Sequence, residues 1–182
     1  MKKRSFGTKL FLFTITLLLV TATLTVLNWI PSLMQKQTMK RFSSIDIAKK
    51  ELRIHRLFLP TYIPEDLRLV WPPAEIYAQE VPFSAFIMHL RYRDSRDIGL
   101  VIQQADANAP YQIEPLIKIK TTNAGSQISI KDRKAVLIPA VCDGNVPCYE
   151  VSWDEDGTIV TLICKCSAQD IVKIASSTLP GP

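Results

Sequence analysis

The sequence predicts an α+β domain: an antiparallel sheet with its N- and C-terminal helices packed on one face, preceded by one transmembrane helix. Three observations predict it. An uncharged, apolar run fills residues 10–30. Strand-like segments separated by polar turns fill the middle of the chain. A helical pattern behind a capping signal stands on each side of that middle.

The chain begins with a basic leader, residues 1–9, carrying Lys2, Lys3, Arg4 and Lys9. The run from Leu10 to Ile30 is 21 residues, about 31 Å as a helix, close to the hydrocarbon thickness of a bilayer. Thirteen of its residues are Leu, Ile, Val or Phe. They favour insertion by about 4–8 kcal/mol, which five threonines and Asn28 reduce but do not reverse. Trp29 suits the interface and Pro31 ends the helix. Val20-Thr21-Ala22 would serve as a signal-peptide cleavage site, but the apolar run continues eight residues beyond it, so an uncleaved anchor is the preferred reading. No polar face appears in the run, which argues against a buried core helix.

Basic residues flank the run on both sides, with Lys36, Lys40 and Arg41 after it. The leader and its α-amine outweigh these, placing the N-terminus in the cytoplasm and the rest of the chain outside it, in the cell membrane as a single-pass protein. The net charge is +5, of which the leader supplies +4, leaving an ordinary balance of about +1. The basic pI of about 9.1 therefore reflects membrane topology and gives no support for nucleic-acid binding. The expected organisation is a leader (1–9), an anchor (10–30), a juxtamembrane linker (31–42) and one extracytoplasmic α+β domain (43–182).

Ser43-Ser44-Ile45-Asp46 reads as a capping box opening a helix over about 44–54, with Ile45, Ala48 and Leu52 on one face. Pro60 and Pro64 then impose extended or turn geometry, and Leu67, Val70 and Trp71 read as a strand start cut short by Pro72-Pro73. "FSAFIMHLRYR" and "IGLVIQQ" form an antiparallel pair around "DSRD". "YQIEPLIKIK" and "SQISIKDRKAVLIP" hold two or three short strands, and "CYEVSW" and "TIVTLICKC" a hairpin around "DEDG". Ser167-Ala168-Gln169-Asp170 caps a last helix with Ile171, Ile174, Ala175 and Thr178 on one side.

This order of segments carries a resemblance. "LPTYIPEDLRL", then "YEVSWDEDGTIVTL", then "SAQDIVKIASSTL" resembles a bacterial family of extracytoplasmic domains of unknown function, over about residues 45–179. The family pattern runs Leu-Pro-x-Tyr-x-Pro-Glu-Gly near its start and ends in a helix closing Ile-Ala-x-Ser-Leu. The resemblance implies a membrane-anchored envelope protein of spore-forming bacteria, akin to lipoprotein-sorting-like and sigma-regulator ectodomains. Asp66 departs from the pattern, which has Gly there, and the four cysteines are not part of it.

Those cysteines are Cys142, Cys148, Cys164 and Cys166. Outside the cytoplasm an even number favours disulfides, with three possible connectivities. Residues i and i+2 of a strand lie nearly 7 Å apart with parallel Cβ vectors, so a Cys164–Cys166 bridge is disfavoured without a tight turn, which leaves Cys148 to pair with Cys164 or Cys166. A three-residue loop, Glu155-Asp156-Gly157, would set Cys148 opposite Cys164, leaving Cys142 for Cys166; a two-residue Asp156-Gly157 turn would put Cys148 on the wrong face for either. The first arrangement is the expectation. Zinc is disfavoured, because the spacings Cys-x5-Cys and Cys-x-Cys are not zinc knuckles. A Cys-x-Cys redox pair is disfavoured too, since it sits at a strand end with no adjacent His or Arg and Lys165 as its one nearby cation, so structural staples are the preferred reading.

No catalytic or metal site is expected elsewhere, and no cofactor. His55 and His89 stand outside any motif, and Asp154-Glu155-Asp156 reads as a solvated turn. Arg91, Arg93 and Arg96 with Asp94 and Asp97 read as a polar hairpin tip. Phe86, Met88, Leu90, Tyr92 and Val101 are candidates to line a cavity, with plain core the stronger reading. The expected function is non-enzymatic binding or sensing of a protein, lipid or envelope component. A lipid or lipoprotein carrier and a thiol–disulfide exchanger are the alternatives.

Overall fold

The computed structural model describes residues 11–25, 39–52, 56–73, 75–110, 113, 117–121 and 125–180. The chain separates into two compact units, Met1–Thr38 and Met39–Pro182.

In the first unit, residues 11–25 form a helix, α1, whose residues are all exposed. The hydroxyls of Thr16, Thr21, Thr23 and Thr25 donate to the carbonyls four residues back, at 2.8–2.9 Å. Among the described residues no helix is long and apolar enough to cross a membrane. The ends of the expected span, Leu10 and 26–30 with Trp29, lie outside the described residues.

The second unit is α+β. Helix α2 (Ile45–Leu52) opens where Ser44 Oγ accepts the Ile47 N–H at 3.2 Å, and it buries Ala48 and Leu52. Helix α3 (Ala168–Ser177) opens at Ser167, whose Oγ accepts the Asp170 N–H at 3.2 Å and donates to the Asp170 carboxylate at 2.6 Å. That hydroxyl holds the Asp170 carboxyl below the usual range. Ile171, Ile174 and Ala175 face inward, as the 3.6-residue period requires.

Among the described residues nine strands form the large sheet: β1 (Lys40–Phe42), β3 (Glu75–Gln79), β4 (Ala85–Arg91), β5 (Ile98–Asp106), β6 (Lys120–Thr121), β7 (Ser126–Ile130), β8 (Arg133–Cys142), β9 (Val146–Glu155) and β10 (Thr158–Cys164). Their order is β1-β3-β4-β5-β10-β9-β8-β6, with β7 also paired to β8, and every pairing is antiparallel. Two further short strands, β2 (Phe58–Pro60) and β11 (Thr178–Pro180), pair with each other. β1 contains Lys40 and Arg41 of the expected linker; the rest of that segment up to Thr38 lies outside the described residues.

Alternation along the strands divides the sheet into two faces. One face carries Ile76, Phe86, Met88, Leu90, Leu100, Ile102, Val151, Trp153, Val160 and Leu162 against Ala48 and Leu52 of α2 and Ile171, Ile174 and Ala175 of α3. Both helices thus share a face, as expected. The other face carries Ala85, Ile87, Val101, Ala140, Cys148 and Ile163, with Ile113 and Ile117 laid over it.

The strand expected at Leu67–Trp71 is different. Glu65–Leu67 is a single 3-10 turn, Arg68 takes a left-handed conformation (φ 48°), and Leu69 alone bridges to Tyr92.

The β9–β10 register also differs. The turn has two residues, Asp156 (φ 52°) and Gly157 (φ 79°), not three. Two consecutive left-handed residues make the primed turn whose twist matches paired strands. Asp154 Oδ1 accepts the Gly157 N–H at 2.9 Å and holds it. Tyr149, not Cys148, therefore lies opposite Cys164. Cys148 faces away from the helices and Cys164 faces them, so the expected Cys148–Cys164 and Cys142–Cys166 bridges do not form. The bridges are Cys142–Cys148 and Cys164–Cys166. The first joins neighbours on β8 and β9: Cys142 pairs with Val146, and Cys148 sits two residues on, on the same face, with Cα atoms 5.9 Å apart. The second closes because the chain bends at Lys165 as β10 ends, bringing the Cα atoms to 5.2 Å.

Candidate functional site: a pocket on the helix-free face

The face of the sheet without helices can be read in cross-strand rows. One row runs Tyr77, Ile87, Gln103, Thr161, Ser152, Val136 across β3, β4, β5, β10, β9 and β8. The next runs Glu75, His89, Val101, Ile163, Glu150, Ile138. Opposed side chains lie about 5 Å apart and successive rows about 7 Å apart, so Gln103, Thr161, Ser152 and Glu150 form one polar group on the sheet floor.

Ala107, Ala109, Pro110, Ile113 and Ile119 lie over this floor and border a pocket of about 500 Å³. Ala109, Pro110, Ile113 and Ile119 form its roof, and Ala105, Ile159 and Ile163 its apolar floor. Gln103 Nε2 donates to the Ile113 carbonyl at 2.9 Å and so ties roof to floor, while among the described residues its buried Oε1 has no partner. Burial pushes the Glu150 carboxyl up, and among the described residues it has no ion-pair partner. No described lining residue is a Lys or Arg. The pocket thus offers acceptors from Glu150 and Gln103, hydroxyls from Ser152 and Thr161, and apolar walls.

Further along the second row lies a charged cluster. His89 is fully buried, and Glu75 Oε2 is 3.5 Å from its Nδ1. Glu75 Oε1 also takes Arg91 at 2.7 Å and Arg41 at 3.9 Å, and the Tyr77 ring lies 5.9 Å from the imidazole. Burial lowers the His89 pKa most; Glu75 opposes that shift and Arg91 adds to it. Burial thus favours the neutral imidazole.

The residues singled out from the sequence fall as follows. All four cysteines are in disulfides. His55 lies outside the described residues. Each carboxylate of the 154–156 turn has its own partner: Gly157 N–H for Asp154, Arg133 and Trp153 for Glu155, Arg56 for Asp156. Among the described residues no group of three or more His, Cys, Asp or Glu could hold a metal. Arg91 turns to Glu75, and Asp94 of the hairpin tip pairs with Arg68. Phe86, Met88 and Leu90 are core on the helix side while Val101 faces the other way, so they line no common cavity.

Sequence reading missed Gln103, Glu150, Ser152 and Thr161. Their signal was present as polar residues alternating with Val151, Trp153, Val160 and Leu162. No family model, curated protein or solved structure matches the chain.

Proposed function

We propose that this chain is a membrane-anchored extracytoplasmic binding domain that acts without catalysis and takes a small ligand in the pocket roofed by Ala109, Pro110, Ile113 and Ile119. The observation that carries it is the convergence of Glu150, Gln103, Ser152 and Thr161 in a partly enclosed space of about 500 Å³ with apolar walls. An acid pushed toward its neutral form by burial regains its charge when a cation binds beside it. The ligand class is therefore a small amphipathic amine or other donor-rich molecule. An anion would find no Lys or Arg among the described lining residues and would face the Glu150 carboxyl.

The anchor is residues 10–30, with the N-terminus in the cytoplasm. Its uncharged length supports this, as do the threonine hydroxyls of α1, which bond back to their own helix and so need no water. Two disulfides suit an oxidising exterior. The resemblance in motif order extends the proposal to a bacterial, sporulation-associated envelope. A lipid carrier asks for a contiguous apolar cavity; polar groups on this floor favour a ligand with a polar head instead.

The test uses the full chain in detergent, with thermal shift read against hexylamine, hexanol and hexanoate. Hexylamine is expected to stabilise most, and Glu150→Gln to remove its advantage. Equal binding of hexanoate, or no shift with any of the three, would overturn the reading.

A further inference from the structure

We propose that Cys164–Cys166 is an exchangeable disulfide, a two-electron acceptor for a protein dithiol outside the cytoplasm, while Cys142–Cys148 is a fixed bridge. The proposal is independent of the pocket and its ligand.

Four features distinguish the two bridges. Cys164–Cys166 spans a sequence separation of 2 and Cys142–Cys148 one of 6. The stabilisation a crosslink gives by restricting the unfolded chain grows with loop length, so the shorter ring adds least to folding. Cys166 is partly exposed, whereas Cys142, Cys148 and Cys164 are 3 % exposed or less. Of the two residues of the short ring, Cys166 is the more accessible and Cys164 the sheltered one.

The third feature is that the turn carrying the ring is held by bonds other than the disulfide. The Lys165 N–H donates to the Gly99 carbonyl at 2.9 Å, and the Tyr92 hydroxyl donates to the Lys165 carbonyl at 3.0 Å. Gly99 makes room for this, since a Cβ there would stand 2.7 Å from the Tyr92 ring. Ser167 caps α3 on the far side. Reduction therefore leaves both sulfurs close enough to close again. Fourth, Cys166 directly precedes that N-cap and follows Lys165, a setting that favours a thiolate.

The exchange runs in two displacements. A partner thiolate attacks Cys166 Sγ; the new intermolecular S–S bond forms as the Cys164–Cys166 bond breaks, and Cys164 Sγ takes the electron pair and a proton. The partner's second thiolate then attacks its own sulfur in the mixed disulfide and expels Cys166 as thiolate. The partner leaves oxidised to a disulfide and this chain leaves as a dithiol.

The test equilibrates the oxidised full chain in detergent with graded dithiothreitol, alkylates it and maps the label by mass. Cys164 and Cys166 are expected to label together at concentrations that leave Cys142 and Cys148 bridged and the melting temperature nearly unchanged. Labelling of all four together, or only on unfolding, would overturn the proposal. Tyr92→Phe provides a second readout. Losing a hydrogen bond that holds the turn should move the equilibrium toward the dithiol by roughly 2- to 10-fold; an unchanged equilibrium would remove the case for a preset ring.

Discussion

Glu150 and His89 lie in one cross-strand row, and burial moves their pKa values in opposite directions because it disfavours charge on both. For Glu150 the native value is raised, so the native state binds the proton more tightly than the unfolded chain. Its stabilising share is present at low pH, below the ordinary value of 4.5, and is lost as pH rises through the raised value. Glu150→Gln is therefore expected to raise the melting temperature at pH 7–8 and to lose that advantage near pH 4. For His89 the native value is lowered. Its share is present above 6.5 and is lost as pH falls through the lowered value, with Glu75 and Arg91 setting how far down that lies. His89→Leu is expected to flatten the loss of stability below pH 6.5. Thermal melts from pH 4 to 8 check both; a Glu150→Gln advantage that persists at pH 4 would contradict the first.

Among the elements, β2 is held by a side chain. Gln104 is buried, its Oε1 accepting the Phe58 N–H at 2.9 Å and its Nε2 donating to the Phe58 carbonyl at 2.7 Å. A glutamine here takes the part of a neighbouring strand. Gln104→Leu orphans both backbone groups and is expected to cost about 2–4 kcal/mol by urea unfolding. Gly157→Val, at φ 79°, is expected to cost roughly 1–2 kcal/mol through the β9–β10 turn. The elements legible in the sequence were those with local signals: the Ser44 and Ser167 caps, the β4–β5 pair around its polar tip, the apolar sides of α2 and α3. β1, β2 and β11 were not, because strands of three residues have too little period to read and exist through their partners. The Asp156-Gly157 turn was in view as an alternative. What decided it was an Asp154 side-chain bond that hydropathy does not encode, and the cysteine pairing followed from that single residue of register. The pocket's floor was legible as a polar alternation, but its roof depends on where Ala109, Pro110, Ile113 and Ile119 come to lie, which no local pattern states.

At the scale of the molecule, the proposed anchor and the folded unit make separate predictions. Deleting residues 1–30 is expected to move the protein from the carbonate-washed membrane fraction to the soluble one, while the Glu150 pH effect stays the same. Retention of the shortened chain in the membrane fraction would count against the anchor.

The C-terminal strand has a consequence for proteolytic trimming. Thr178 is fully buried, its hydroxyl donates to Ile174, its carbonyl receives Arg133, and the residues after it complete β11 on β2. An exopeptidase working inward from the tail would therefore meet a threshold at Leu179: removing that residue bares one rim of β2, and removing the next unlatches Arg133 from the end of α3. Ageing of the protein by nibbling should look like a step, not a slope.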